Sequence, residues 1–281
     1  MLVVSHIADV KSYINQQRSA GKKIGFVPTM GALHEGHLSL IYEARKHNYI
    51  VTASIFVNPI QFNNPGDLEK YPRTEENDCR MLEQAGCDMV FIPNVKEMYP
   101  EEVKKTYDFG NLETVMEGQF RPGHFNGVAI VVKKLFDIFT PHQAFFGQKD
   151  FQQLAIIRRM VELENIPVEV IGCPTLRETD GLAMSSRNIR LSENQRKSAP
   201  FIFKMLELAK QLLPETEVIE VHQHIVDKFA NHPDFELEYF EICNAITLQP
   251  IKSLNDAEEV VACVAAYMGE VRLIDNRMMK P

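Results

Sequence analysis

Two histidines three residues apart, placed just after a glycine-containing turn, form the strongest candidate for catalytic chemistry in this chain. The stretch follows the apolar run 24–27 and reads Pro28-Thr29-Met30-Gly31-Ala32-Leu33-His34-Glu35-Gly36-His37-Leu38. It predicts a buried strand, a turn and a helix start, whose unpaired amide donors and partial positive charge suit a polyphosphate. Because residues three apart share a helix face, His34 and His37 are predicted to donate hydrogen bonds to phosphate oxygens.

Two other interpretations of these histidines stay open. Zinc proteases place their histidines at i and i+4, whereas the spacing here is i and i+3 and no third ligand is evident. A purely structural pair is the default interpretation of an isolated His-x-x-His. Gly31 and Gly36 favour the phosphate interpretation, because glycine lets a ligand approach the backbone closely.

Neutral amide side chains follow the next predicted strand, in the stretch Phe56-Val57-Asn58-Pro59-Ile60-Gln61-Phe62. Asn58 and Gln61 each offer donors and an acceptor in a fixed plane, and Pro59 restricts the turn that carries them. Such a pair suits a small molecule with hydroxyl groups. A turn with solvated amides is the alternative.

Two later segments place cations beside glycine or hydroxyl groups. The stretch Phe146-Gly147-Gln148-Lys149-Asp150-Phe151-Gln152-Gln153 repeats the strand–glycine–helix pattern, so Lys149 can neutralise phosphate and Asp150 can bind a ribose hydroxyl or cap the helix. In the segment 177–188, Ser185, Ser186 and Arg187 form a compact group of phosphate donors. An ordinary capped helix and an interdomain hinge are the respective alternatives.

Two polar segments have weaker signals. The glycine-rich loop 118–127 carries Arg121 and His124, which suits an anion-facing flap or simply a loop. Thr74 is predicted to cap a helix with acidic residues in its first turn. That first turn includes Asp78, and such carboxylates could hold Mg²⁺ together with phosphate oxygens.

The composition predicts a soluble, cytoplasmic protein. The chain has 281 residues, 45% hydrophobic and 24% charged, and its five cysteines include no Cys-x-x-Cys pair. No apolar run of about 18 residues and no secretory signal pattern occurs, so no membrane span is expected. The net charge of −8 argues against a general nucleic-acid binder.

The order of the predicted elements indicates an α/β fold with a doubly wound, Rossmann-like parallel sheet and a second, smaller α+β C-terminal domain. Strands are predicted at 23–27, 50–56, 89–92, 143–146 and 168–172, and helices between them at 38–47, 75–85, 125–139 and 150–164. Helices at 192–213 and 217–230, the first with a Ser192–Gln195 capping box, and strands at 237–243, 260–268 and 271–274 follow. The predicted domains are 1–176, which binds nucleotide and substrate, and 177–281.

Together these motifs closely resemble the pantoate–β-alanine ligase (pantothenate synthetase) family, related to the class I aminoacyl-tRNA synthetases. The resemblance covers 28–40, 56–62, 71–74, 118–136, 146–153, 177–188 and 271–276. His34-Glu35-Gly36-His37 is similar to the His-x-Gly-His motif of that superfamily. Met184-Ser185-Ser186-Arg187 stands where its mobile Lys-Met-Ser-Lys-Ser loop would be.

The resemblance implies a two-step reaction, in which ATP and (R)-pantoate give pantoyl adenylate and pyrophosphate, and β-alanine then gives pantothenate and AMP. It implies catalytic roles for His37, as proton donor, and for His34, Lys149 and Arg187. The implied ATP-binding residues are Met30, Gly31, Ala32, Leu33, His34, Glu35, Gly36, His37, Gly147, Gln148, Lys149, Asp150, Leu176, Met184, Ser185, Ser186 and Arg187. Gln61, Gln153 and Asn58 would bind pantoate, and Gln61 also β-alanine.

The same resemblance implies Mg²⁺ with ATP and a homodimer, and the position of segment 177–188 at the predicted domain junction suggests a hinge by which the C-terminal domain closes over the ATP site. Asp78 is the candidate metal ligand, although Asn77 stands where some relatives carry another acid. Three competing functions are an adenylyltransferase acting on a phosphorylated cofactor precursor, an RNA-binding relative of the synthetases, and an inactive nucleotide-binding regulator. The first would need further basic residues and would leave Asn58, Gln61 and Gln153 without a task.

Overall fold

Short runs of β-branched and aromatic residues form a six-stranded, all-parallel sheet in the computed structural model, which describes residues 1–47, 49–63 and 65–280. Its strands are β1 (Leu2–Val4), β2 (Ile24–Thr29), β3 (Ile50–Ile55), β4 (Met89–Phe91), β5 (Gln143–Gly147) and β6 (Glu169–Cys173). Their order across the sheet is β1-β4-β3-β2-β5-β6. Five of these strands match the predicted ones to within two residues, and β1 was not predicted.

Helices cover the two faces of this sheet because neighbouring residues of a strand point to opposite sides. The helices of the first two-thirds are α1 (Ile7–Ser19), α2 (Glu35–Lys46), α3 (Pro65–Glu69), α4 (Glu75–Gln84), α5 (Val95–Met98), α6 (Met116–Phe120), α7 (His124–Phe139) and α8 (Phe151–Leu163). On β2, the ring of Phe26 stacks on Phe139 of α7 at a centroid distance of 4.2 Å. The next residue, Val27, packs in a cluster that contains Leu38 and Ile41 of α2.

The strand order reverses direction between β2 and β5. From β2 the chain adds β3 and then β4 on one side, whereas β5 and β6 lie on the other. In open parallel sheets, ligands bind outside the carboxyl ends of the strands at such a switch point. The turn after β2 and the glycine that ends β5 both belong to motifs singled out in the sequence, so this edge of the sheet is the candidate site.

The C-terminal part contains an antiparallel sheet in the order β7-β8-β9, formed by β7 (Glu236–Asn244), β8 (Val260–Met268) and β9 (Val271–Lys280). Three helices precede it, namely α9 (Glu193–Ser198), α10 (Phe201–Leu212) and α11 (Val218–Ala230). The predicted helix 192–213 is therefore two helices, and Pro200, which has no amide hydrogen to donate, lies between them. The predicted capping box is confirmed, since Ser192 and Gln195 bond reciprocally at 2.9 and 3.3 Å.

The chain divides into two compact units. The first consists of Met1–Phe109, Arg121–Gln148 and Gln153–Pro174, and the second of Gly110–Phe120, Lys149–Gln152 and Thr175–Pro281. Two short internal segments thus group with the C-terminal residues, while the boundary at 176/177 stays a prediction. The α/β class with a smaller α+β part is confirmed. Among the described residues, no helix combines the length and apolarity that a bilayer crossing requires.

Candidate active site

A buried carboxylate holds the turn between β2 and α2. Gly31 (φ 82°) and Ala32 (φ 50°) both adopt the left-handed conformation, which is unfavourable for alanine. The amides of Ala32 and Leu33 donate to Asp78 Oδ2 and Oδ1 at 2.9 and 2.8 Å. Asp78 is fully buried in the first turn of α4. Its carboxylate therefore fixes the backbone that leads into the histidine helix.

The surroundings of Asp78 do not fit a Mg²⁺ ligand. The hydroxyl of Thr74 also donates to Asp78 Oδ1, at 3.0 Å, so the carboxylate already accepts three hydrogen bonds. No cluster of three or more His, Cys, Asp or Glu side chains suited to a metal occurs within the described residues. Thr74 does occupy the position before α4, but its side chain forms no capping bond there. Thr74 is thus the N-cap residue of α4 with acidic residues in the first turn, as predicted, but its hydroxyl donates to the Asp78 side chain and accepts no backbone amide.

The two histidines close the amino-terminal end of α2. His34 precedes the helix, and its Nδ1 accepts the amide of Gly36 at 3.1 Å. The Nδ1 of His37 accepts the amide of His34 at 3.3 Å, and the ring centroids lie 4.1 Å apart. A ring nitrogen that accepts an N–H carries no proton, so each neutral imidazole holds its proton on Nε2. Both rings are thereby fixed as Nε2–H donors.

A chain of side-chain hydrogen bonds orients the two predicted amides. Tyr99 donates its hydroxyl to Asn58 Oδ1 at 2.9 Å, and burial raises the pKa of Tyr99, which keeps it a donor. The Nδ2 of Asn58 donates to Gln61 Oε1 at 3.1 Å, and the Nε2 of Gln61 donates to the sulfur of Met30 at 3.0 Å. The structure thus brings together Met30, Asn58 and Gln61, three of the predicted residues. Tyr99 was not predicted.

The start of α7 packs directly against the backbone of Gln61. Asn58 Nδ2 also donates to the Gly127 carbonyl at 3.1 Å, and a Cβ at Gly127 would lie 2.7 Å from Gln61 Cα. His124 is buried, with Nδ1 2.8 Å from the Gln61 carbonyl oxygen. His124 therefore supports the Gln61 turn, and of the two interpretations of loop 118–127 the structural one accounts for this histidine. Glycines in that loop were the only sequence signal of the close approach.

In the second unit, backbone pairing joins two parts of a predicted ATP-binding segment. The amide of Met184 donates to the Leu176 carbonyl at 3.0 Å, and residues 177 and 183 form an antiparallel bridge. Ser185 then accepts the amide of Arg187 at 3.2 Å and starts a 3₁₀ turn, Ser186–Arg190. Lys149 lies in a separate 3₁₀ turn, Gln148–Asp150, with its carbonyl bonded to Asn276 at 2.8 Å.

The remaining predicted residues occupy defined places at the ends of strands and helices. Gly147 ends β5, and the exposed Asp150 precedes α8. Glu35 and Gly36 begin α2, and Gln153 lies half-buried in the first turn of α8.

None of the five cysteines offers an activated nucleophile. All are free thiols, and four of them are buried. Burial raises the pKa of Cys87 to about 12 and that of Cys173 to about 11, which disfavours the thiolate needed for covalent catalysis. The buried thiols of Cys87 and Cys173 are therefore not activated nucleophiles, and the predicted site residues contribute hydrogen-bond donors, amides and cations.

Comparison with known proteins gives matches that span nearly the whole chain. The family model for pantoate-beta-alanine ligase matches residues 2–278. The pantothenate synthetase of Porphyromonas gingivalis is 48% identical over 276 residues, covering 98% of each chain. The crystal structure of the pantothenate synthetase from Thermus thermophilus has a TM-score of 0.93 at 42% identity over the full length of both chains.

A third relative was solved with small molecules bound. The Francisella tularensis pantoate-beta-alanine ligase, complexed with beta-gamma ATP and beta-alanine, has a TM-score of 0.82 at 35% identity and covers 99% of this chain and 98% of its own. The coverage is nearly complete in all of these matches, and the identities far exceed those at which only a fold is shared. This chain belongs to the pantoate–β-alanine ligase family.

Proposed function

We propose that this chain joins (R)-pantoate to β-alanine at the expense of ATP, through pantoyl adenylate. The observation that carries the proposal is the pair of imidazoles at the start of α2, each with its proton placed on Nε2 by a backbone amide. Two fixed donors at a helix amino terminus suit the phosphates of ATP. The family membership and the ATP and β-alanine complex of the Francisella relative support the same substrates.

In the first step, the pantoate carboxylate attacks the α-phosphorus of ATP and pyrophosphate leaves. Negative charge grows on the α-phosphate oxygens and on the departing group. Donors that are already oriented stabilise this charge without reorganising, and one such donor is typically worth on the order of 10²–10³ in rate. His37 is proposed as the main donor, with His34 beside it. The absence of an activated thiol among the described residues supports direct attack by pantoate.

Within the first unit, Met30 to His37, Gly147 and Gln148 are proposed to contact ATP. Within the second unit, Lys149, Asp150, the Leu176 backbone and the residues from Met184 to Arg187 are proposed to do so. A lysine ammonium and an arginine fork supply the charge and bidentate geometry that phosphate groups need. Mg²⁺ is proposed to enter with ATP as part of the substrate, where it would neutralise phosphate charge. The buried Asp78 carboxylate, which already accepts three hydrogen bonds, is not proposed to hold it.

Gln61, Gln153 and Asn58 are proposed to bind pantoate, and Gln61 also β-alanine. Tyr99 donates to Asn58, and Asn58 donates to Gln61 Oε1. The Nε2 group of Gln61 is therefore the donor at the end of this hydrogen-bond chain. In the second step, the neutral amine of β-alanine attacks the acyl carbon and AMP leaves. Holding the amine and the acyl carbon of the adenylate close together and correctly oriented supplies much of the rate of such a step.

Replacing Gly127 with alanine is expected to raise the KM for pantoate by roughly tenfold, the effect of about 1.4 kcal/mol of lost binding. The new Cβ would lie 2.7 and 2.8 Å from Cα and N of Gln61, so the turn that carries the proposed pantoate ligand must move. Steady-state kinetics with each substrate varied in turn measures this. Glycine-to-alanine changes in helices ordinarily stabilise a protein. An unchanged KM for pantoate would show that Gln61 does not depend on this contact.

The proposed reaction is tested by pyrophosphate exchange into ATP, with and without (R)-pantoate and without β-alanine. Pantoate-dependent exchange would establish the adenylation step, and adding β-alanine should then release AMP and pantothenate. If the complete mixture yields no AMP, the proposed function is wrong. A homodimer and a cytoplasmic location are also proposed; the five free cysteines support a reducing compartment, and sedimentation would test the dimer.

A further inference from the structure

The last strand, β9, carries the motif Val271-Arg272-Leu273-Ile274-Asp275-Asn276, to which the proposed chemistry assigns no task. Within the second unit, three of its side chains bind segments that are far away in sequence. Hydrogen bonds join Asn276 to Lys149, Asp275 to Arg177, and Arg272 to Glu117. One strand therefore organises three separate parts of the chain.

The contact of Asn276 fixes the backbone of Lys149. Its Nδ2 donates to the Lys149 carbonyl at 2.8 Å. Three residues later, Gln152 Nε2 donates to the carbonyls of Leu112 and Val115 at 2.7 and 2.9 Å. The short segment that carries Lys149 is thus tied at both ends by buried amide side chains.

The contact of Asp275 fixes the start of the segment that leads to Arg187. Both oxygens of the buried Asp275 carboxylate accept from Arg177, at 2.7 and 2.9 Å. The same guanidinium donates to the carbonyls of Gly181 and Asn276 and stacks on the ring of Phe203. Burial raises the pKa of Asp275, while the nearby charges of Arg177 and Lys149 lower it.

The third contact anchors the segment to which Gln152 is tied. Arg272 donates to both carboxylate oxygens of Glu117, at 3.0 and 2.6 Å, and also contacts Glu238. The hydroxyl of Tyr239 donates to Glu117 at 3.0 Å. Glu117 lies in α6, close in sequence to the two carbonyls that bind Gln152. Side chains of β9 therefore hold both ends of the 149–152 segment, directly at one end and through α6 at the other.

We propose that Asp275 and Asn276 are positioning residues for ATP, which hold Lys149 and the Arg177–Arg187 segment where their side chains can meet phosphate. The inference rests on the proposed function, which assigns Lys149 and Arg187 to ATP. A lysine side chain has four flexible methylene groups, so its reach is set by where its backbone is held. Neither Asp275 nor Asn276 needs to touch substrate for this effect.

The test replaces Asn276 with alanine and uses Arg277→Ala as the matched control. Arg277 is the next residue of β9, but its guanidinium pairs with the partly exposed Glu207 rather than with an ATP segment. In Asn276→Ala, we expect the KM for ATP to rise on the order of tenfold, as loss of one buried hydrogen bond would give. We expect the KM values for pantoate and β-alanine to stay at the wild-type level. ATP should also raise the melting temperature of this variant less than that of Arg277→Ala.

Each outcome decides one of the two proposals. If wild-type protein releases no AMP from the complete mixture of ATP, pantoate and β-alanine, the proposed function fails, while the ATP-induced shift in melting temperature still tests the positioning role. If Asn276→Ala matches Arg277→Ala in both its KM for ATP and its ATP-induced shift, the inference is overturned and Asn276 is only structural. If Asn276→Ala does not fold, Asp275→Asn takes its place, since it keeps the size of the side chain and removes its charge. A folded Asp275→Asn with wild-type ATP binding would equally overturn the inference.

Discussion

Replacing His37 with alanine is expected to lower the rate of pantoate-dependent pyrophosphate exchange by on the order of 10²–10³, the usual cost of one transition-state donor. The change removes the Nε2–H group that the His34 amide orients through Nδ1. Because this donor acts mainly on charge that develops in the transition state, kcat should fall much more than the KM for ATP rises. Rapid-quench measurement of adenylate formation isolates this step from attack by β-alanine.

Two further variants distinguish loss of the hydrogen-bond donor from loss of folding stability. In His37→Gln the side-chain amide can offer a donor near the place of Nε2, so part of the lost rate should return. The matched control is His142→Ala, because His142 Nδ1 also accepts a backbone amide, that of Ile24 at 2.9 Å. Ile24 begins β2, at the opposite end of the strand from the His34 turn. This control should lose stability but keep kcat.

The proposed role of His37 has a clear contrary outcome. If His37→Ala loses stability as His142→Ala does and retains the adenylation rate, then the ring is a helix cap only. The structural interpretation that the His-x-x-His pattern leaves open would then be correct for this residue. The same measurement on His34→Ala shows whether the second imidazole adds to the first or only orients its partner.

Sequence pattern predicted the elements whose apolar residues repeat regularly, and missed those that lack this signal. Strands β2, β3 and β5 are buried runs bounded by polar turns, so their positions follow from composition alone. Strand β1 has only three residues and two of them are exposed, and α1 buries just Val10 and Ile14. Both elements exist because the completed sheet and α7 give them a surface to pack on, which no local window contains.

The same distinction applies to the site. The sequence predicted that His34 and His37 lie at a helix start and that Asn58 and Gln61 lie in one turn, since short spacing determines both. It did not identify the groups that orient them, because Asp78, Tyr99 and Gly127 reach their partners across 45, 41 and 69 residues. A single sequence does not show which distant residues form such pairs. From the sequence alone, the acidic residues in the first turn of α4 therefore indicate either a capped helix start or metal ligands.

Replacing Asp78 with asparagine is expected to lower both stability and the adenylation rate. The amide oxygen can still accept one backbone N–H, but the NH₂ group would face the other, so one buried donor loses its partner. We expect the free energy of unfolding to fall by about 3 kcal/mol, the upper range for such a loss. The left-handed turn at Gly31 and Ala32 would relax, and misplacing a reacting group by about 1 Å can cost 10²-fold in rate. Chemical denaturation and pyrophosphate exchange measure the two effects.

The dependence of this variant on Mg²⁺ distinguishes an anchor from a metal ligand. If Asp78 bound the metal, Asp78→Asn would need more Mg²⁺ and a high concentration would restore its rate. If Asp78 only anchors the turn, the adenylation rate of Asp78→Asn should be reduced at every Mg²⁺ concentration. The midpoint of its Mg²⁺ dependence should then equal that of the wild-type protein. Asp88→Asn is the matched control, since the Asp88 carboxylate also accepts a backbone amide, from Val51 at 2.8 Å, but lies at the amino-terminal side of the sheet. It should lose some stability and keep its adenylation rate, because the loop that Asp78 holds is untouched.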